Sequence, residues 1–222
     1  MINTQPKFVT KIQGAFAVSA GMLCIPFFAS ALTDGALSSV QSAILFLGTF
    51  ATYVWFVLRY VYLVLLGLPE AISSAVVNVL IVIVGIWAIQ LHKSPQDWFL
   101  AMSFLMFMAL WKDLEAVVRW MRDRHMSQEV RYHMEALLKD LLAGMVLLFS
   151  HLALRGHLLK PEAIRGATIA VASVWLLWSA LCAWVKARAI LLHLSERKDS
   201  AQQPPARDSS WAADGLTGTR EE

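Results

Sequence analysis

The chain has 222 residues, of which 58% are hydrophobic and only 16% charged, and its mean hydropathy is +0.56. Soluble domains carry roughly 25% charged residues, and a soluble core of this size could not hide several separate apolar runs of about 20 residues, the length that spans ~30 Å of hydrocarbon. The net charge of +3 is modest, and its positive residues gather at the ends of apolar runs, which fits orientation in a bilayer and argues against nucleic-acid binding.

The apolar runs cover residues 14–33, 38–66, 71–91, 98–118, 136–154 and 165–185. Every backbone amide in lipid must be bonded internally, and these runs lack the alternation of barrel strands, so each is expected to be a helix. The expected fold is therefore all-α: a polytopic transmembrane bundle of about six spans over residues 1–194, followed by a tail over 195–222.

The first run follows Lys7 and Lys11 and contains Ala29-Ser30-Ala31, a signal-peptidase-like pattern. Its length is that of a span, so a retained helix is the expectation. Thr33-Asp34-Gly35 predicts a tight turn, with Ser38 or Ser39 capping the second helix. The second run, about 45 Å long as a helix, exceeds the hydrocarbon thickness, so the depth of Arg59 depends on which part is embedded. Snorkelling at the inner interface is the simpler account. With deeper embedding, Arg59 needs a partner: the ring of Trp55, or Asp113, Glu115 and Asp140 as counter-ions near the inner ends of later helices.

Leu68-Pro69-Glu70 predicts a close turn between the second and third helices. Asn78 in the third run is expected to bond between helices. Ser94-Pro95-Gln96-Asp97 reads as a capping box that starts the fourth helix.

Residues 112–140 concentrate charge. Glu115, Arg119 and Asp123 lie at i+4 spacings, as do Arg131 and Glu135, so the stretch supports its own helical pairs. It is expected to be a charged cytoplasmic helical hairpin between spans four and five, with Arg119, Arg122, Arg124 and Arg131 offered to a cytoplasmic protein partner or to a second copy. His125, Glu129 and His133 fall at i, i+4 and i+8. The spacing matches no H-E-x-x-H or Glu-x-x-His pattern, and a cap at Ser127 would remove His125 from the face, so a solvated face is expected and no metal.

His151 lies nearer the outer end of the fifth run, where water access is expected. Lys160-Pro161-Glu162 starts the sixth helix. Trp87, Trp98, Trp111, Trp120 and Trp184 are placed at interfacial belts and Trp55, Trp175 and Trp178 deeper. Small residues four apart, Ala17 and Gly21 or Gly166 and Ala170, would allow close helix contact. Cys24 and Cys182 read as small buried hydrophobes. From about Ser195 the composition turns to Ser, Pro, Gln, Gly and charge, with too little apolar area to offset ordering entropy, so a disordered tail is expected; Trp211 is its one large apolar group.

Lysine and arginine favour six spans with both termini cytoplasmic. No nucleotide loop, nucleophile elbow, haem motif or catalytic carboxylate pair is present, so no catalytic residue and no cofactor is assigned. The function expected is a non-enzymatic inner-membrane scaffold or sensor of a multiprotein system, defence or exclusion machinery among the settings. The alternative is a channel or small transporter with an ion or proton path near Arg59 and the inner-end acids.

Overall fold

A computed structural model describes residue 19 and residues 22–65, 72–122, 128–156 and 161–202. Among the described residues every regular element is a helix: α1 (Met22–Thr33), α2 (Val40–Leu65), α3 (Ile72–Gln90), a 3-10 turn (Leu91–Lys93), α4 (Pro95–Arg122), α5 (Gln128–Arg155) and α6 (Pro161–Gln202).

The boundaries follow local chemistry. Gly35 takes φ +81°, a left-handed conformation that costs glycine little. Around it Ala36 N–H bonds Ala31 O at 3.0 Å and Gly35 N–H bonds Leu32 O at 3.2 Å, the two bonds of a Schellman ending. Ser39 then caps α2 by accepting the Ser42 N–H at 3.1 Å. Before α4, Ser94 Oγ donates to Asp97 Oδ2 at 2.6 Å, with Pro95 as the first helical residue. The predicted turn at Leu68-Pro69-Glu70 lies outside the described residues.

Four helices are long and apolar enough to cross a membrane, with spans at Val40–Tyr62, Val76–Lys93, His133–Arg155 and Ala163–Ser195. The first and fourth predicted spans are not among them. Helix α1 is described over Met22–Thr33, shorter than a span, and α4 carries Lys112, Asp113 and Glu115 in its second half. The surface is what marks this as a membrane protein. Val76, Leu80 and Ile83 on α3, Leu138, Leu142, Val146 and Phe149 on α5, and Val174, Leu177, Leu181 and Val185 on α6 are all exposed, while Arg59, Asp113, His133 and Asp140 are buried. Oil outside and charge inside is the arrangement lipid requires and water forbids.

The helices pack as two pairs, α2 with α6 and α4 with α5, and α3 leans on α4. Helix α4 buries a stripe of Trp98, Met102, Leu105, Met106, Ala109, Asp113 and Val117, whose spacing is that of one helical face. The facing stripe on α5 is His133, Asp140, Gly144, Leu147 and His151. A Cβ added at Gly144 would lie 3.0 Å from the Phe107 ring, so glycine is what lets the two helices approach.

A smaller cluster ties α1 to the bundle. Phe28 makes edge contacts with Phe46 and Phe50 at centroid distances of 5.6 and 5.3 Å, and Cys24, Ala31 and Ile89 complete it.

Several sequence expectations change. Trp98, expected among the belt residues, is buried within the bundle, with its indole N–H on Thr49 Oγ1 at 2.7 Å. His151 is buried as well, 2.9 Å from Gln96 O, so it joins α5 to the start of α4 where water access was expected. Gly166 and Ala170 face outward, and a Cβ at Gly166 would meet nothing within 4 Å, so they make no close helix contact within this chain. Helix α6 continues to Gln202, past Ser195, because extending a formed helix adds a backbone bond for each residue ordered. Trp87, Trp111, Trp178 and Trp184 are exposed, and Trp55 and Trp175 are buried.

Gly144→Leu should force the Phe107 ring aside and cost about 1–3 kcal/mol, as overpacking does, whereas Gly166→Leu should change stability by less than about 0.5 kcal/mol. Thermal unfolding in detergent, followed by circular dichroism, separates the two; equal effects would contradict the packing described.

Candidate functional site

Helix α2 presents one polar seam to its neighbours. Thr49, Thr52 and Arg59 recur at i, i+3 and i+10, close to whole helical turns, so they share a face. Thr49 Oγ1 donates to Leu45 O at 3.0 Å and accepts from Trp98 of α4. Thr52 Oγ1 donates to Gly48 O at 2.7 Å and accepts the Trp175 indole N–H of α6 at 2.9 Å. The Thr52 hydrogen is thereby used, so Ser179, 3.1 Å away, is the donor of that pair. Gly48 makes room for both indoles: a Cβ there would lie 3.3 Å from Trp98 and 3.6 Å from Trp175.

At the end of this seam Arg59 enters the interior. It is 6% exposed, and its guanidinium bridges two acids from different helices, Asp113 of α4 (1% exposed) and Asp140 of α5 (0% exposed). Nη2 bonds Asp113 Oδ2 and Nη1 bonds Asp140 Oδ2 at 2.8 Å. His133, one face and two turns before Asp140 on α5, brings Nδ1 to 3.0 Å from Asp113 Oδ1. Each pair supplies charge-assisted bonds, the strongest kind available to a side chain.

The two acids are not equivalent. Both Asp113 oxygens are engaged, one by Arg59 and one by His133, whereas Asp140 Oδ1 is buried without a partner. Around this core stand Lys112, whose Nζ donates to Asn78 Oδ1 at 2.8 Å and lies 5.2 Å over the Tyr60 ring, and Lys186 of α6, 4.7 Å over the Tyr62 ring.

The sequence-predicted charge cluster is thus brought together in Arg59, Asp113 and Asp140. Glu115, two residues past Asp113 and so near the opposite side of α4, is half-buried. Interfacial snorkelling, the simpler expectation for Arg59, gives way to internal pairing. The solvated face expected for His133 gives way to burial against Asp113; its predicted companions His125 and Glu129 lie outside the described side chains. So do the predicted partner-binding Arg119, Arg122, Arg124 and Arg131. Asn78 bonds between α3 and α4, through Lys112. Trp55 stacks on Phe56 at a centroid distance of 5.5 Å.

A signal for His133 was present. Residues 133, 140 and 147 repeat at sevens along α5, the spacing of a buried helix seam, and Asp113 falls on the same stripe of α4 as Met102, Met106 and Ala109.

Beside the cluster lies a cavity of about 90 Å³ between α2, α3 and α4, whose surface is mostly apolar, with threonines and tyrosines of α2 lining it beside Arg59, Asn78 and Lys112. Among the described residues no three His, Cys, Asp or Glu side chains are placed to hold a metal ion. No protein-family model matches the chain, and comparison with curated proteins and with solved structures finds no match either.

Arg59→Met should lose about 3–5 kcal/mol of stability, because it strands two buried carboxylates. Converting Asp113 and Asp140 to Leu in the same chain should restore most of that loss. Asp113→Asn should be costlier than Asp140→Asn, since only Asp113 is bonded through both oxygens. Unfolding in mixed micelles measures all four; a triple variant no more stable than Arg59→Met would refute the pairing as the source of the cost.

Proposed function

We propose that the chain is a non-enzymatic integral inner-membrane protein, a scaffold or sensor of a multiprotein system, which passes its state to a cytoplasmic partner or a second copy through the 112–140 hairpin. Defence or exclusion machinery is one such setting. In this reading the chain crosses the bilayer six times with both termini cytoplasmic.

The observation that carries the proposal is the Arg59 joint. Asp113, His133 and Asp140 all belong to the 112–140 stretch, and Arg59 bonds two of them from α2. A movement of the hairpin would therefore be felt at α2, and a change in the bundle would be felt at the hairpin. Coupling of this sort needs a joint that is discrete and buried, so that breaking it is costly and remaking it is specific.

A crossing by α4, beside the four long apolar helices, is supported by packing. Helix α4 has 28 residues, about 42 Å at 1.5 Å per residue, and it lies between α3 and α5, both apolar enough to cross. A helix held between two spans crosses with them. Lys112, Lys139 and Lys186, together with arginines 119, 122, 124, 131 and 188, would then share the positive, cytoplasmic side.

An ion or proton path near Arg59 and the inner-end acids is the second reading, favoured by the unpartnered oxygen of Asp140 and by buried charge, which in a membrane marks function by default. The apolar walls of the adjoining cavity weigh against it, since a conducting path needs polar lining.

Alkaline phosphatase and fluorescent-protein fusions after residue 124 should report a cytoplasmic location. Changing Arg119, Arg122 and Arg124 to Glu should abolish co-purification of the partner or of tagged second copies while the chain stays folded. Unchanged partners, or ion flux through the purified protein in liposomes that is lost in Asp140→Asn, would favour the path instead.

A further inference from the structure

Four carboxylate oxygens meet at the Arg59 joint, and three of them are engaged. Asp113 Oδ2 accepts from Arg59 Nη2, Asp113 Oδ1 lies 3.0 Å from His133 Nδ1, and Asp140 Oδ2 accepts from Arg59 Nη1 at 2.8 Å. The fourth, Asp140 Oδ1, is enclosed and has no partner among the described residues. Asp140 is fully buried, on a helix whose outer face is apolar.

Ionised, Asp140 leaves this oxygen with charge and no donor, the most expensive state for a buried polar atom. A proton on Oδ1 removes the charge and disturbs no existing bond, because Oδ2 stays on Arg59. The neutral hydroxyl still lacks an acceptor, but a neutral polar group costs far less to bury than a charge. A proton on either oxygen of Asp113 has to displace Arg59 or His133. The guanidinium also draws two carboxylates to one point, and their mutual repulsion is relieved when one of them takes a proton. The joint thus has one oxygen with room for a hydrogen.

We propose that Asp140 Oδ1 is a proton-binding site whose occupancy is the state that the Arg59 joint reports. The inference rests on the sensor reading above and names its stimulus. The proton comes from water and returns to water on the same side of the membrane, so no conducting path is involved. With Asp140 ionised, Arg59 holds α4 and α5 alike by ion pairs. With Asp140 neutral, the bond from Nη1 keeps only one of its two charges and weakens, while Asp113 keeps its ionic bond. Proton uptake therefore loosens α5 from α2 and leaves α4 attached. Asp140 ends the 112–140 stretch, so the foot released is the one on α5. Other charged and titratable groups face the same region. They are Tyr62 of α2, whose ring lies under Lys186; Cys182 and Lys186 of α6; Lys139, Glu135 and His133 of α5; and Glu115 of α4. His133 is the one most easily mistaken for the site, because it bonds the other acid of the joint.

Infrared difference spectroscopy of the full chain in lipid vesicles tests the assignment, over a range from about pH 8 to about pH 4 that brackets ordinary carboxyl and imidazole values. A carbonyl band of a protonated carboxylic acid, slow to shift in heavy water because the acid is buried, should titrate in the unmodified chain. Asp140→Asn should abolish that band, and His133→Gln should retain it. Asp140→Glu, one methylene longer, should keep the band and move its midpoint, so misfolding of Asp140→Asn does not protect the idea. Spin labels at the exposed Val61 of α2 and Leu138 of α5, with Cys24 and Cys182 changed to Ala, should give a distance that changes with the same midpoint. In Asp140→Asn, which imitates the neutral acid, that distance should hold its low-pH value throughout. No slow band in the unmodified chain, a band that survives Asp140→Asn, a midpoint unmoved in Asp140→Glu, or a pH-dependent distance lost in His133→Gln but not in Asp140→Asn would overturn the site. Loss of the partner on changing Arg119, Arg122 and Arg124, with no titrating band, would remove the proton site and leave the scaffold reading standing.

Discussion

A guanidinium that cannot reach water governs this structure. Arg59 lies inside a bundle whose outer surface is oil, and an uncompensated charge there is expensive even after relaxation. Its compensation has to come from side chains that reach the same point. Asp113 and Asp140 do so, from two helices that otherwise scarcely touch α2. The consequence for packing is that the α2–α6 pair and the α4–α5 pair are not free to slide past one another. Apolar contact alone would allow many registers, because lipid solvates Leu and Val as well as a neighbouring helix does. Three polar side chains that must meet select one register.

The threonine and tryptophan seam extends the same logic up α2. A buried indole N–H needs an acceptor, and in a transmembrane helix the backbone carbonyls are already used. Thr49 and Thr52 solve this by donating to their own helix and accepting from Trp98 and Trp175. Gly48 clears the space between them. The polar seam of α2 is therefore small but directional, and it is met by polar groups from α4, α5 and α6.

The 112–140 stretch has two characters. Its ends turn inward: Lys112 to Asn78, Asp113 to Arg59 and His133, Asp140 to Arg59. Other positions of the same stretch, Leu114, Val118, Met121, Met134 and Leu138, are exposed apolar groups. A segment that looks like one wet hairpin in composition is thus anchored into the bundle at both feet. That arrangement places any force applied to this stretch directly on the Arg59 joint, which borders the cavity between α2, α3 and α4.

Sequence by itself determined the helical class, the membrane setting and most helix boundaries, because these depend on local causes: run length against hydrocarbon thickness, the glycine at 35, the caps at Ser39 and Ser94, the prolines at 95 and 161. It also placed Asp113 and Asp140, together with Glu115, among the candidate counter-ions for Arg59, since an intramembrane charge demands an opposite one and few are available. What it could not decide was whether Arg59 would use them. A long second run allowed snorkelling and pairing alike, and the choice rests on whether α4 and α5, packed together at Gly144 and Phe107, bring Asp113 and Asp140 to the same point beside α2. His133, Trp98 and His151 were misplaced for the same reason: composition marks a residue as polar or amphipathic, but only the facing helix determines whether its hydrogen-bonding groups find partners inside. The cavity between α2, α3 and α4 was invisible in sequence because a void is a property of what neighbouring helices fail to fill.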